Sequence, residues 1–314
     1  MRENIYKIKE NIQKVIVGKD DVIDLLLTSL LAEGHILIDD VPGLAKTKMA
    51  HCLALSIGTE FKRIQFTPDL QPSDITGIYF YNQKTGEFEF RSGPILTNIV
   101  LADEINRAVP RTQSSLLEAM QEQQVSVEGN NFKISDPFMV IATQNPIELE
   151  GTFPLPEAQL DRFIMKIDVG YPEQKEEVEI LQRFKEKDPI LELEPVVTGE
   201  DINHMREQVK KVKITQDLIT YITQLAQTTR NHDQLRLGIS PRGSLSLMRA
   251  ALAYAYIKDR DYVLPDDIKY LFPYVVSHRL ILEYDSEVMD VSKEEIVKNI
   301  LNKVEVPVEG VINE

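Results

Sequence analysis

The stretch IDDVPGLAKTK, residues 38–48, decides how the chain is read. An apolar run, HILI at 35–38, enters a turn, and KTKMAHCLALSIG continues as a helix. A strand feeding a loop that ends in Lys-Thr at a helix start has the layout of a phosphate-binding loop. Successive backbone N–H groups and the helix N-terminus make a concavity for phosphate oxygens there. The usual pattern GxxxxGK[ST] has glycine at its first and sixth places, where this chain has Asp40 and Ala45. Gly43 keeps a glycine at the bend, where positive φ is needed. Ala45 is expected at helix entry, where a helical backbone accepts a Cβ at little cost. Asp40 closes the strand, and its carboxylate should turn away from phosphate. Two unit charges ~4 Å apart repel by ~1 kcal/mol in water and ~4 kcal/mol at an intermediate dielectric. On this segment alone, a loop that ends in Lys-Thr by chance remains open.

A second stretch decides between the two. In NIVLADEINR, residues 98–107, an apolar strand ends in Asp103-Glu104. In phosphate-loop enzymes the first such carboxylate holds Mg²⁺ together with the loop Thr or Ser, and the second can take a proton from an attacking water. Thr47 and Asp103 are therefore the candidate Mg²⁺ residues, Lys46 the contact to β/γ-phosphates, and Glu104 the base. A third strand, FMVIATQNP, ends in Asn145, able to orient that water or simply to open the turn before Pro146. Arg162 follows the short segment PEAQLD, where a surface ion pair with Asp161 or Glu157 is the plain alternative. In GISPRGSLSLMRAA, Ser240 reads as an N-cap and Arg242 lies in the first helical turn. A cation there opposes the helix dipole, and a bound nucleotide phosphate would relieve the conflict.

The rest of the chain supports an α/β domain followed by a helical one. Through about residue 170 the runs HILI, FKRIQF (61–66), NIVLA (98–102), FMVIAT (138–143) and FIMKIDV (163–169) alternate with helical segments, as in a parallel sheet covered by helices. After YPEQ at 171–174, the segments EEVEILQRF, QDLITYITQLAQTTR, GSLSLMRAALAYAYI and PDDIKYLFPYVV carry apolar residues at i, i+3/i+4 spacing. The expected division is 1–170 and 171–314. The N-terminus reads as an amphipathic helix through Ile5, Ile8, Ile12 and Val15, and not as a signal peptide. No apolar run approaches the ~18 residues of a membrane helix, and a lone cysteine, Cys52, fits the cytoplasm. A net charge of −15 argues against nucleic acid as the main partner. The five histidines show no metal spacing, and Ser114-Ser115 lacks a nucleophile-elbow context. The acidic stretch EKDPILELEP, 186–195, reads as a solvated connector.

Taken in order, IVGKDD (16–21), DDVPGLAKT, LADEINRA, PRTQSSLLEAMQE, IATQNP, EGTFPLPEAQLDRF and ISPRG resemble the MoxR family of AAA+ ATPases over nearly the whole chain. The resemblance implies a P-loop AAA+ core with a small all-helical lid. It places Val17 and Gly18 against adenine, and Pro42, Gly43, Leu44, Ala45, Lys46, Thr47 and Lys48 in the phosphate loop. It makes Asp103 and Glu104 the Walker B pair, Asn145 sensor 1, Arg162 an arginine finger acting on a neighbouring subunit, and Arg242 sensor 2. The family accepts alanine before the loop lysine, whereas Asp40 departs from its common glycine. ATP and Mg²⁺ are the implied cofactors, and an ATP-promoted hexameric ring the implied assembly.

Two segments read as hairpins. Residues 77–93 alternate around Lys84-Thr85-Gly86, and residues 124–135 turn at Glu128–Asn131. The resemblance equates them with the helix-2 insert and pre-sensor-1 hairpin that face the ring opening. Alternation alone buries one face of each, making Phe80, Phe88 and Phe90 candidate core. The implied function is chaperone-like: ATP-driven remodelling or maturation of protein partners, von Willebrand factor A domain proteins among them. The alternatives are a helicase-like or metal-chelatase-like motor, and a nucleotide-gated scaffold. Against a helicase, the hairpin tips offer only Lys84 and Lys133.

Overall fold

The computed structural model describes residues 2–146, 151–284, 286 and 291–307. Glu150 of EGTFPLPEAQLDRF and the extreme chain ends lie outside the described residues. Helices α1 (Arg2–Gln13) and α2 (Asp20–Leu31) come first, and the helical spacing of Ile5, Ile8 and Ile12 buries all three. The α/β unit follows as β1 (His35–Asp39), α3 (Lys46–Ser56), β2 (Phe61–Gln65) and α4 (Pro72–Thr76). A hairpin, β3 (Gly77–Asn82) and β4 (Glu87–Ser92), precedes β5 (Ile99–Asp103) and α5 (Pro110–Glu122). A second hairpin, β6 (Gln124–Val127) and β7 (Asn130–Lys133), precedes β8 (Met139–Gln144), α6 (Glu157–Leu160) and β9 (Phe163–Ile167).

Five strands form one parallel sheet in the order β2-β5-β8-β1-β9. Apolar residues alternate between its two faces. Ile36, Ile38, Leu101 and Ile141 join one core cluster; Leu37, Val100, Ala102 and Val140 join the other. A parallel sheet is covered on both faces, which is why β5, β8, β1 and β9 are near-continuous apolar runs, while the edge strand β2 (FKRIQ) alternates. The order also fixes the chemistry. β8 lies between the strand that ends in Asp103 and the strand that feeds the phosphate loop, so three sequence-distant strand ends share one edge.

The remaining chain is helical, as expected: α7 (Gln174–Arg183), α8 (Gly199–Val209), α9 (Gln216–Arg230), α10 (Pro241–Ile257), α11 (Pro265–Val276) and α12 (Lys293–Lys303). A two-strand ladder, β10 (Leu235–Leu237) with β11 (Ile281–Leu282), ties the loops between them. These helices do not stand apart from the sheet. α10 packs on α2, α11 packs on β9, and one core cluster runs from Ile36 through Leu225 to Ile300. Buried Arg279 donates from Nε to Asp161 at 2.7 Å and from its Nη atoms to the carbonyls of Phe163 and Ile164, fixing the helical part to the start of β9.

Three expectations need correction. The second hairpin closes on a two-residue loop, Glu128-Gly129, both at positive φ, so Asn130 and Asn131 belong to the strand. Phe90 does pack inward, stacked on Phe132 at 3.9 Å, but Phe80 and Phe88 are 43% and 71% exposed. The segment 186–195 is not merely solvated: Asp188 pairs with Lys48, Leu193 is buried, and Asn11 Nδ2 donates to the Glu194 carbonyl at 3.0 Å.

Candidate functional site

A cavity of about 560 Å³ opens at the C-terminal edge of the sheet, where ligands of open α/β sheets bind. Its walls come from the loop 42–48, from Asp103 and Glu104 at the end of β5, and from Thr143 to Asn145 at the end of β8. Val15 to Val17, Ile180 and Phe184 add an apolar end. Gly18, beside that end, has φ +67°, a backbone conformation that L side chains rarely adopt, and faces the Glu176 side chain of α7.

Within the loop, Gly43 has φ +91°, as the bend requires. Ala45 differs from expectation. It is left-handed, at φ +56° and ψ 17°, as the residue preceding α3. The position that carries glycine in the general pattern therefore demands a conformation costing an L-residue roughly 1–2 kcal/mol. Lys46 Nζ donates to the carbonyls of Asp40 at 2.6 Å and Val41 at 3.1 Å. Burial pulls its pKa below the ordinary lysine value, while the carboxylates of Asp40, Asp103, Asp39 and Glu104 push it back up. The Asp40 carboxylate faces away from the loop's interior, accepting the N–H groups of Val41, Val169 and Gly170.

The acidic pair is held by residues that a linear reading passes over. Asp103 accepts Thr143 Oγ1–H at 2.6 Å on one oxygen, and Arg63 Nη2 and Nε at 2.6 and 3.1 Å on the other. Glu104 is also left-handed, at φ 56° and ψ 50°, with its N–H donated to Thr143 Oγ1 at 2.8 Å. Its carboxylate accepts Gln65 and Arg107. Strained backbone of this kind clusters at functional sites. Arg63 and Gln65 share a face of β2 by the period of two, and Gln65 lies directly opposite Asp103. Their alternation is visible in FKRIQF, but their target depends on β2 lying beside β5.

Lys46, Thr47, Asp103, Glu104 and Asn145 thus line one cavity, with Pro42 to Lys48 and Val17 around them. Arg162 and Arg242 are not among its walls. They line a second cavity of about 290 Å³ with Arg249, Gln121 and His35. His35 opens β1 and Ile164 is the second residue of β9, so this cavity lies at the opposite edge of the sheet, about 13 Å away along four rises of ~3.3 Å. Arg162 makes no ion pair with Asp161 or Glu157; it donates from Nη1 to the Leu117 carbonyl at 2.7 Å. Ser240 caps α10 as expected, yet Arg242 stands 3.9 Å from Asp161. Docking of α10 on α2 carries its N-terminus to the start of β9 rather than to its own chain's phosphate loop.

Comparison with known proteins agrees with this geometry. Residues 35–165 match the ATPase family associated with various cellular activities (AAA), and residues 227–300 match the AAA lid domain. The chain is 42% identical to Chaperone MoxR1 of Mycobacterium tuberculosis, over 94% of this chain and 80% of that protein. This chain belongs to the MoxR family of AAA+ ATPases. The chain is also 52% identical to the uncharacterized protein YeaC of Bacillus subtilis, over 96% of this chain and 95% of that protein. A crystal structure from Cytophaga hutchinsonii, described as a candidate ATPase, superposes with a TM-score of 0.92 at 41% identity, covering 98% of this chain and 96% of that one. The MoxR fold, a parallel AAA+ sheet with a helical lid, is thereby shared along the chain. Among the described residues no helix is long and apolar enough to cross a membrane.

Proposed function

We propose that this MoxR-family protein hydrolyses ATP and uses the turnover to remodel or mature protein partners. The observation that supports the chemistry is the convergence of Lys46, Thr47, Asp103, Glu104 and Asn145 on one 560 Å³ cavity at the sheet edge. The donor set suits Mg²⁺. Among the described residues no cluster of three or more His, Cys, Asp or Glu could hold a metal alone. Mg²⁺ takes one or two protein oxygens and completes its shell with phosphate and water. Thr47 and Asp103 would supply those oxygens. When bound, Mg²⁺ neutralises charge that develops on the transferred phosphoryl group. In this reading Lys46 binds the β/γ-phosphates, Asn145 orients the attacking water, and Glu104 takes its proton. Val17 and Gly18 border the adenine end.

Arg162 and Arg242 open on the far edge of the sheet, so we propose that they complete the site of a neighbouring copy in a ring, hexameric by family resemblance. A cation supplied in trans stabilises the transferring phosphoryl group without burdening the loop that binds substrate. The client reading, including von Willebrand factor A domain proteins, rests on family resemblance. The test is hydrolysis by purified protein with Mg²⁺. Lys46→Ala should lose nucleotide binding, whereas Glu104→Gln should bind ATP and fail to turn it over. Hydrolysis by Glu104→Gln at the parent rate would remove Glu104 as base. A von Willebrand factor A domain protein from the same organism should accelerate turnover; no acceleration by any of them would remove that client class.

A further inference from the structure

Asp40 joins two parts of the chain that are far apart in sequence. One carboxylate oxygen accepts the Val41 N–H at 2.8 Å; the other accepts the N–H groups of Val169 at 2.8 Å and Gly170 at 2.7 Å. On its backbone side, the Asp40 carbonyl shares the Lys46 ammonium with that of Val41. Val169 and Gly170 are where the chain leaves β9 and turns, with Gly170 at φ +67°, toward α7. α7 leads to Ile180 and Phe184 on the cavity wall. Beyond it, Lys48 pairs with Asp188 and stands 4.7 Å over the Phe184 ring. Residues 169–188 therefore form a strap across the cavity, fastened at its start by Asp40 and at its end by Lys48.

We infer that Asp40 is a positioning residue that couples the phosphate loop to this strap, an inference that rests on reading the cavity as an ATP site. An ammonium has three donors; the carbonyls of Asp40 and Val41 take two, so every donor beyond the first that turns toward phosphate is withdrawn from one of them. The peptide between those residues is then released to shift. A shift there carries the Asp40 carboxylate, which is held by charge-assisted bonds to two N–H groups of the strap. Glycine, the usual residue at this place in phosphate loops, would have no such link. Coupling of this kind is reciprocal, so strap position should also bias the loop.

The sequence contains no tryptophan, and Tyr171, next to Gly170, is 75% exposed. Tyr171→Trp thus places on the strap the protein's single tryptophan, which is excited selectively over its tyrosines at long wavelength. Emission is followed while a non-hydrolysable ATP analogue with Mg²⁺ is titrated into Tyr171→Trp and into the same protein carrying Asp40→Asn or Asp40→Gly. Analogue affinity is measured separately by equilibrium dialysis, and fold by thermal unfolding. The parent should show a nucleotide-dependent emission shift. Both double variants should bind the analogue within about tenfold of the parent, lose the shift, and, on ATP, fall in kcat more than they rise in KM. Retention of shift and kcat in either folded variant overturns the coupling. So does a loss of affinity beyond about a hundredfold, which would make Asp40 a local determinant of loop shape, and so does a parent that binds with no change in emission. A parent that binds no analogue overturns the ATP-site reading itself, and the coupling with it.

Discussion

Gln65 donates its side-chain amide to Glu104 at 2.8 Å, and Arg107 donates to the same carboxylate oxygen at 3.0 Å. The candidate base is thus held from one side by β2 and from the other by its own 3-10 turn, while its left-handed backbone is pinned through Thr143. A hydrogen bond to a charged group is worth about 1.5–3 kcal/mol. Gln65→Ala should therefore lower kcat by roughly 10- to 100-fold. Analogue affinity should stay unchanged, because Gln65 holds the base and not the loop. Steady-state kinetics beside a binding titration checks this; weakened binding at unchanged kcat would detach Gln65 from the base.

Ala45 offers a prediction on stability. Its φ of +56° is one that glycine adopts freely. Ala45→Gly should remove about 1–2 kcal/mol of backbone strain and lose about 0.4–1 kcal/mol through a freer unfolded chain. The net expectation is stabilisation of between zero and about 1.6 kcal/mol, read as a raised denaturation midpoint. A lowered midpoint would mean that the alanine methyl has packing value in the loop.

Much of this protein could be read from its sequence, and the gaps share one cause. Four of the sheet strands were legible as short, mostly apolar runs between turn signals and β2 as an alternation, and Lys46, Thr47, Asp103 and Asn145 were legible because each ends or follows one of the apolar runs. Asp40 was legible in part: charge repulsion dictates that its carboxylate turn away, but the Val169 and Gly170 amides it reaches are 129 and 130 residues distant. Arg63 and Gln65 were passed over because their roles depend on which strand lies beside β2. The setting of Arg242 was hidden for the same reason, since helix-cap chemistry fixes where α10 begins and not where it docks. Ala45 misled because a phosphate loop's last bend precedes the helix rather than belonging to it.

Acid sensitivity follows from His35. The buried ring lies between the Met120 carbonyl, 3.1 Å from Nε2, and the Val140 N–H, which donates to Nδ1 at 3.0 Å. Burial lowers its pKa to about 4, with the charge of Arg206 adding to the fall and the Met120 bond opposing it. His278 is lowered in the same direction by burial and by Arg279. The folded pKa lies below the unfolded value of ~6.5, so the unfolded chain binds more protons between these limits and stability rises with pH there. As pH falls from about 6.5 toward 4, His35 alone should remove about 1.4 kcal/mol per unit at most. His35→Gln, which can keep one donor and one acceptor, should be less stable at pH 7 and show a flatter pH slope. Urea midpoints at pH 7, 6 and 5 measure both. An unchanged slope would assign the acid loss to other groups.

The last prediction joins site to assembly. Arg162 lies at the N-terminal edge of the sheet and Lys46 at the C-terminal edge, in separate cavities. Within one chain the guanidinium cannot reach a γ-phosphate held by Lys46; the head-to-tail ring proposed above would bring it to a neighbour's. Specific activity should accordingly rise with protein concentration. Arg162→Ala and Lys46→Ala should each be inactive alone, with the arginine variant still binding ATP, because arginines supplied in trans contribute ~10³–10⁵ in rate. Random assembly of equal amounts leaves about a quarter of the heterologous interfaces with an intact phosphate loop facing an intact arginine. The mixture should recover turnover on that scale. Arg162 also anchors the Leu117 carbonyl, so thermal unfolding of Arg162→Ala must first show a folded chain, and sedimentation must show that the two variants co-assemble. Co-assembled rings that stay inactive, or a dilute monomer that hydrolyses at full rate, would return Arg162 to the single task of holding α5 against the start of β9.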